Sequence, residues 1–531
     1  MGSGAAKTRF LEPSWKNLPP VDALPNTGEA ARRILDALEG GRKVVVFGDY
    51  DTDGVCASAI LARTFKALEL ADNTATVLPD RFAEGYGLTM AALERLLTEH
   101  PDAKMVVTVD NGITSANETA ELVRRGIDVI VTDHHLPGDE LPECLTVNPH
   151  VASCAGCDEL CGAGVAFVLA QAIVAEARRR GRVPKRPRLA GELLVLAGVA
   201  TVADVVPLAD CNRDLVAESL RLFDMDAPIG LRELRNHAAK RAGRLSAHDY
   251  AFMLSPRINA AGRMAKADIA FRLLTTHTRE EARRLAIEVD NLNAMRRTEE
   301  NRIAQEALAQ IDAMGARPAY VVAGRGWHKG VLGIVAGRLA EQYGVPVAVA
   351  DGEQGSIRSA AGINVREALD DVADCMERYG GHAPACGFQL KEGRLEEFRE
   401  RFAEACAKRA TASRPAATAC DFEISPEDVS VELWHALQKL QPFGVGNPEP
   451  VFAIKGVTFS EVAAIGDGGK HLSLFLKGAH ALRALWWQHG GEAAAFRKKC
   501  ATPHTVTFSL MLNTYGGERA ELALKSAEAE Q

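Results

Sequence analysis

The sequence predicts an α/β protein: a parallel-sheet domain, joined through one long helix to a smaller α/β domain, then a small β-barrel. Three observations predict it. Four short β-branched runs alternate with helix-like stretches early in the chain, an unbroken helical pattern covers Thr278 to Ala313, and the C-terminal block alternates like short strands. Strands that alternate with helices pair in parallel and are covered on both faces, so they read as continuous apolar runs.

Taken in order, "KVVVF" (43–47), "ATVLP" (75–79), "KMVVTVD" (104–110) and "DVIVTD" (128–133) are the strands of the first sheet. "VCASAILARTFKALEL" and "LTMAALERLLTEH" are helices between them. The basic stretch "ARRRGRVPKRPRL" reads as a solvated connection more readily than as a phosphate site, and the apolar helix "GELLVLAGVATVAD" follows it. In the long helix, Leu285, Val289, Leu292, Ile303 and Ile311 recur at helical spacing, while the middle, "NAMRRTEEN", is polar all round, as in a helix bridging two bodies. A second α/β unit runs from about Pro318 to Ala407, with "AYVVAG" and "VPVAVA" as strands. "ATASRPAATA" (410–419) is a small-residue linker. The remainder alternates like short antiparallel strands with turns between, which suggests a small barrel or sandwich, and an OB-type barrel would fit its length. The expected divisions are 1–40 as an N-terminal extension, 41–215, a helical region 216–315, 316–409 and 420–526.

A chain of 531 residues exceeds one hydrophobic core, and 47% apolar with 25% charged residues describes a water-soluble protein. No apolar run reaches the roughly eighteen residues of a membrane span, and no secretion signal opens the chain. Eleven scattered cysteines suit reduced thiols in the cytoplasm. Cys144, Cys154, Cys157 and Cys161 resemble half a zinc site but lack a matching second pair, so a reduced loop is expected. The net charge of −8 excludes a broadly basic nucleic-acid-binding surface. It leaves room for a local positive groove and for carboxylates offset by bound cations.

Asp49, Asp51 and Asp53 alternate in "GDYDTDG" after the first strand, and in an extended segment they would share one face. "VVTVDNG" delivers Asp110, "VTDHH" delivers Asp133, His134 and His135, and "ATVADVVPL" delivers Asp204. Each acid alone reads equally well as a helix cap or turn residue. Together they would crowd repelling carboxylates on one sheet edge, which requires cations between them. Oxygen-rich donors suit Mg²⁺ or Mn²⁺ rather than Zn²⁺. Two ions about 4 Å apart would use the whole set and serve phosphoester hydrolysis.

These segments resemble the motifs of the DHH phosphoesterase superfamily. "SPRINAAGRM", "GWHKGVLGIVAGR", "GSIRSAAG", "GGHAPACGF" and "LQPFGVGNPEPVF" extend the resemblance to RecJ-type single-stranded-DNA-specific exonucleases. The likeness implies a DHH domain, a connecting helix, a DHHA1 domain and an OB-fold domain. It implies that Asp51, Asp53, Asp110, His134 and Asp204 hold two divalent cations, Mn²⁺ or Mg²⁺, with Asp110 bridging. Asp49 stands near where other branches place a histidine ligand. His135 would lie beside the scissile phosphate as acid or stabiliser, with Asp133 orienting a histidine. Arg257, Arg358 and His382, with Asn259, Arg263 and Ser359, would grip a terminal 5′-phosphate, and "SPRINAAGRM" is expected to form a loop. Arg81 and Tyr86 in "PDRFAEGYGL" could hold a phosphate and stack a base, or simply pack beneath a loop.

The activity implied is 5′→3′ digestion of single-stranded DNA to mononucleotides in repair and recombination. The implied enzyme is a cytoplasmic monomer, with single-strand-binding protein and repair helicases as partners and no membrane. A DHH-type oligoribonuclease that also cleaves 3′-phosphoadenosine 5′-phosphate is the alternative, and a non-catalytic DNA-binding scaffold a further one. Against that likeness, the segment before "GDYDTDG" is expected to be short, no further domain is expected after the barrel, and Cys386 stands where a smaller residue is common.

Overall fold

The computed structural model describes residues 4–18, 20–151, 156–239, 243–359, 362–409, 420–478 and 482–530. It divides into two compact units: one of Trp15–Val206 with Asp210–Ser413, the other of Met1–Ser14, Pro207–Ala209 and Arg414–Gln531.

In the larger unit, β1 (Lys43–Phe47), β2 (Thr74–Val77), β3 (Ala103–Val109), β4 (Asp128–Thr132) and β5 (Leu145–Val147) form an all-parallel sheet in the order β2-β1-β3-β4-β5. β5 is invisible to sequence pattern because three residues carry no period. Alternation along β1 sends Val44 and Val46 into one core and Val45 and Phe47 into another, so helices cover both faces. The strand order reverses between β1 and β3, which opens a crevice beyond their carboxyl ends, where ligands bind in open α/β sheets. The helix Thr27–Glu39 falls in the stretch expected to be an N-terminal extension, yet it buries Ile34, Leu35 and Leu38 in the first of these cores.

The long helix is Arg279–Met314. Leu285 and Val289 join the core of the parallel sheet, whereas Ile303, Ala307 and Ile311 join the core beneath the second sheet. One element therefore serves two cores, which is why its middle is polar. The second sheet comprises β6 (Tyr320–Gly324), β7 (Val347–Asp351), β8 (Gln354–Arg358), β9 (Met376–His382) and β10 (Ala385–Leu390) in the order β6-β7-β8-β10-β9. Only β6 and β7 pair in parallel.

"SPRINAAGRM" is not a loop but the helix Ser255–Met264. Proline is tolerated in the first turn, and Ile258, Ala260 and Ala261 bury completely. Gly262 is required there, because a Cβ would lie 2.5 Å from the Tyr50 carbonyl oxygen.

The smaller unit holds β11 (Phe422–Glu423), β12 (Phe452–Val457), β13 (Phe459–Ile465), β14 (His471–Leu476), β15 (Arg483–Trp486), β16 (His504–Asn513) and β17 (Arg519–Ala529) in one seven-stranded sheet of order β11-β12-β16-β17-β15-β14-β13. Phe452, Leu474, Phe508 and Leu522 fill its interior. Two pairings, β11 with β12 and β15 with β17, are parallel, a departure from the antiparallel pattern expected.

Charges of the basic connection are paired: Arg180 binds Asp36, Glu39 and Glu176, and Arg186 lies 3.5 Å from Glu192. That is a structural use of its charge. Cys157 and Cys161 are buried and join no metal-binding group among the described residues, no disulfide links described cysteines, and Cys154 and the linker 410–419 lie outside the described residues. Among the described residues, no helix is long and apolar enough to cross a membrane.

Candidate metal centre and phosphate anchor

Asp49 and Asp110 follow β1 and β3 at the crevice. Asp110 adopts φ 62°, a left-handed conformation uncommon outside glycine. Its amide donates to the Thr132 carbonyl at 3.0 Å, which ties the strained residue to β4. Such strain persists where the surroundings hold it, typically at functional sites.

Asp49, Asp51 and Asp53 do not share one extended face, because a helix starts at Thr52 and turns the chain. Asp51 is its N-cap, accepting from the amides of Asp53 and Gly54 through Oδ1. Asp53 reaches the N-terminus of the helix Gly162–Arg179 and accepts from Gly162 and Ala163 at 2.7 and 2.8 Å. Both acids are thus helix caps and also members of the cluster, since one carboxylate has enough lone pairs for both tasks. Close approach depends on glycine: a Cβ on Gly162 would sit 2.4 Å from Asp110 Oδ1, and one on Gly54 2.5 Å from Asp49.

The donors sort into two triads. Ligand atoms of Asp49, Asp51 and Asp110 lie within 4.8 Å of one another, as do those of Asp53, His134 and Asp204. The triads meet where His134 Nε2 approaches Asp110 Oδ1 at 3.2 Å. Asp49 Oδ1, Asp110 Oδ1 and His134 Nε2 are buried without a hydrogen-bond partner among the described residues. Unpaired buried acceptors are costly, and five carboxylates with one imidazole fit a pair of hard divalent cations.

Burial, then the Asp51 charge, raises the Asp49 carboxyl well above the usual range; burial, then Asp53, does the same to Asp110. Asp204 is pushed up to about 8 by burial and then by Asp53 and Asp51. Without cations the folded cluster therefore holds protons that the unfolded chain has released. Stability of the metal-free protein falls as pH rises from about 4, where unfolded carboxyls ionise, through the Asp204 value of about 8. Cations replace those protons, so Mn²⁺ should raise the melting midpoint by several degrees, and by more at about pH 8 than at about pH 6. Thermal scans of chelator-treated protein with and without Mn²⁺ check this; a pH-independent increment contradicts it.

Asp133 is buried beside the triads, with a ligand atom within 4.8 Å of those of Asp110, His134 and His135, but both of its oxygens are already engaged. Its Oδ2 accepts from the Ile113 amide at 3.0 Å, while Oδ1 accepts from the amides of His134 and His135 and pairs with His135 Nδ1 at 2.7 Å. Burial pulls the His135 imidazole down, but the hydrogen bond and charge of Asp133, with Asp204 and Asp53, outweigh it and lift it to about 9. Tyr86 Oη lies 3.0 Å from His135 Nε2, and the Tyr86 ring stands edge-on to both Tyr50 and His135. Tyr86 is therefore half-exposed over the centre rather than packed beneath a loop.

Beside the acids lies a cationic group. Arg81 covers the Tyr50 ring at 5.0 Å. Burial first and then Arg81 lower both Arg263, to about 10, and Arg358. Arg81 thus crowds two guanidiniums, an arrangement that an anion among them would relieve. The Arg358 guanidinium lies against Gly333, in the first turn of the helix Leu332–Tyr343, where a Cβ would meet Nη2 at 2.8 Å. Arg358 pairs in register with Ala385, which pairs with His382, so the two basic residues flank one strand; His382 is exposed. Ser359 Oγ is buried without a partner among the described residues.

Two expected phosphate contacts are otherwise engaged. Arg257 is buried, its Nε paired with Asp290 Oδ1 on the long helix and its Nη1 donating to the Met253 carbonyl, both at 2.7 Å. Six residues from Arg263 on a helix, it points elsewhere. Asn259 Oδ1 accepts from the Thr52 amide at 2.7 Å and so braces the acidic loop. Sequence reasoning missed Tyr50, although it lies within "GDYDTDG", and the two cradle glycines.

Three family models match the chain: "DHH family, N-terminal domain" over 43–199, "DHHA1 domain" over 317–408 and "RecJ OB domain" over 420–526. The single-stranded-DNA-specific exonuclease RecJ of Thermus thermophilus is 38% identical over 479 residues, 90% of this chain and 68% of the relative. The RecJ exonuclease of Bacillus subtilis is 34% identical over 459 residues, 85% of this chain, which spans only 56% of that relative. A crystal structure of RecJ from Thermus thermophilus in complex with Mn²⁺ superposes with a TM-score of 0.83 at 34% identity, covering 99% of this chain and 74% of that one.

Proposed function

This chain belongs to the family of RecJ single-stranded-DNA-specific exonucleases, and on that premise we propose that it degrades single-stranded DNA from a 5′ end, hydrolysing successive phosphodiester bonds to release 5′-mononucleotides. The observation that carries the reading is the pair of ligand triads joined at Asp110 and His134, with their buried acceptors unpaired. Asp49, Asp51 and Asp110 would hold one divalent cation and Asp53, His134 and Asp204 the other. When bound, such a pair supplies Lewis-acid stabilisation of the phosphoryl oxygens and makes water a better nucleophile at neutral pH.

The other roles belong to the chain itself. His135, kept protonated by Asp133, donates from Nε2 towards a phosphate oxygen as negative charge grows on it. Tyr86 guides that imidazole and borders the substrate. Arg81, Arg263 and Arg358, with Ser359 and His382, receive the terminal 5′-phosphate, which makes the reaction an end-directed one. The family's OB match supports a hold on the strand beyond the cut. The absence of disulfides among described cysteines suits the cytoplasm, where single-strand-binding protein and repair helicases would be its partners, the enzyme itself acting as a monomer.

The direct test is digestion of a 3′-labelled, 5′-phosphorylated single strand with Mn²⁺ or Mg²⁺, beside duplex and 5′-hydroxyl controls. Mononucleotide release confined to the single strand is expected; internal cutting, or no cutting with either metal, defeats the reading. Arg358→Ala should cut the preference for phosphate over hydroxyl ends by about tenfold to a hundredfold, the worth of one charge-assisted bond. An unchanged preference would remove Arg358 from the anchor.

A further inference from the structure

Tyr250–Leu254 forms one π-helical turn between Ala247–Asp249 and the helix Ser255–Met264. A π-turn fits one residue more than an α-turn and is frequent at functional sites. Here both ends are pinned. Ser246 and Asp249 make a reciprocal capping box before it, and the Ser255 hydroxyl donates to the Tyr250 carbonyl at 2.7 Å after it. Tyr250 is fully buried with its hydroxyl 2.9 Å from that of Ser219, and Leu254 is fully buried. Between these anchors Phe252 is thrown outward, 69% exposed. Its ring lies 4.5 Å from the His248 ring, tilted by 34°, so an aromatic pair faces solvent.

Phe252 borders a pocket of about 280 Å³. Val202, Val205 and Pro256 continue its apolar rim, and Arg263 and Arg296 line it too. Val205 directly follows Asp204, is 64% exposed, and holds φ 62°, which a β-branched residue adopts only under constraint. Two separate backbone distortions thus present apolar side chains to one pocket, one residue away from the acid cluster. The same π-turn segment is tied to the acidic loop: Thr52 Oγ1 donates to the Ser255 carbonyl at 3.2 Å. A flat apolar surface beside guanidiniums suits a ligand with an aromatic face and an anionic tether. The volume lies just under the roughly 300–1,000 Å³ of small-molecule sites, which accommodates one splayed nucleotide and no base pair.

We propose that Phe252, backed by His248 and Val205, is a stacking subsite for one nucleobase of the single strand as it passes the Asp204 side of the acid cluster. The proposal deepens the nuclease reading and rests on it for its ligand. Stacking needs an unpaired base, so the subsite also selects against duplex close to the cut.

The test uses the full chain carrying Asp110→Asn, which stops hydrolysis, and a single strand with 2-aminopurine at successive positions from its 5′ end. Emission should be quenched at one internal position. Phe252→Ala and Phe252→Leu should restore that emission and weaken binding of the strand by about tenfold, whereas Phe252→Trp retains both. Quenching or affinity that is the same in the alanine and leucine variants as in their parent overturns the subsite. Because the ring is exposed, melting midpoints should match; should the alanine variant fold poorly, leucine against tryptophan distinguishes the same two outcomes. A chain without Asp110→Asn that cuts no strand, while its quenching follows Phe252, would refute the nuclease reading alone.

Discussion

Asp110→Asn should lower hydrolysis of single-stranded DNA by about a thousandfold or more while making the metal-free protein more stable. Asp110 is the carboxylate at which the two triads meet, 3.2 Å from His134 Nε2. Losing its charge weakens both cation sites, and each contributes several kcal/mol of charge stabilisation, where about 1.4 kcal/mol is tenfold in rate. The amide keeps the shape, so Gly162 still fits against it. Without metal, burial and then the charges of Asp53, Asp51 and Asp49 keep Asp110 protonated where the unfolded carboxyl is ionised; asparagine removes that cost, and the melting midpoint rises at neutral pH. Opposite signs for activity and stability separate a functional acid from a structural one. A variant that keeps its Mn²⁺ content and its rate would eliminate the paired-cation centre.

His135→Ala should cost about a hundredfold to ten-thousandfold in kcat, the usual worth of a positioned proton donor, with bound metal unchanged. His134→Ala, by contrast, should lose metal. The sign of the pH effect follows from the imidazole raised to about 9. Its charged form prevails below that value and disappears above it, so the wild-type rate should fall through the alkaline limb, and the alanine variant should lack that limb. Asp133→Asn acts through His135 and should move the limb to lower pH, since the main force raising the imidazole is gone. Parallel pH–rate profiles of the three proteins decide the matter; an identical limb in His135→Ala assigns the titration to another group.

Much of the centre is legible from residue order. A β-branched run that ends in an acid says where a parallel strand stops, and the strand order then brings the ends of β1 and β3 to the crevice. Asp49 and Asp110 follow from that alone, whereas the choice of His134 rather than Asp133 rests on the resemblance to the DHH superfamily. What is not legible is how a side chain shared between two tasks divides them. Asp51 and Asp53 each cap a helix and also join a triad, so the cap and the ligand interpretations, which compete on paper, are compatible in space.

Arg257 and Arg263 show the remaining limit. They stand in one decapeptide with the same side chain, yet one pairs with Asp290 on the long helix and the other joins Arg81 and Arg358. In a loop, six residues of separation say nothing about direction. As a helix the segment turns the two arginines to different sides.

By itself, then, the order of residues determined the first four strands, the acids that follow them and the two-core role of the long helix, because periodicity and strand termination are local properties of the chain. Tertiary structure alone decided which arginine pairs with Asp290 and which lies near Arg81, which acids meet in which triad and where Phe252 points. Those outcomes depend on charges and backbone groups brought close from segments distant in sequence, and a Coulomb or hydrogen-bond energy exists only once the separation is set.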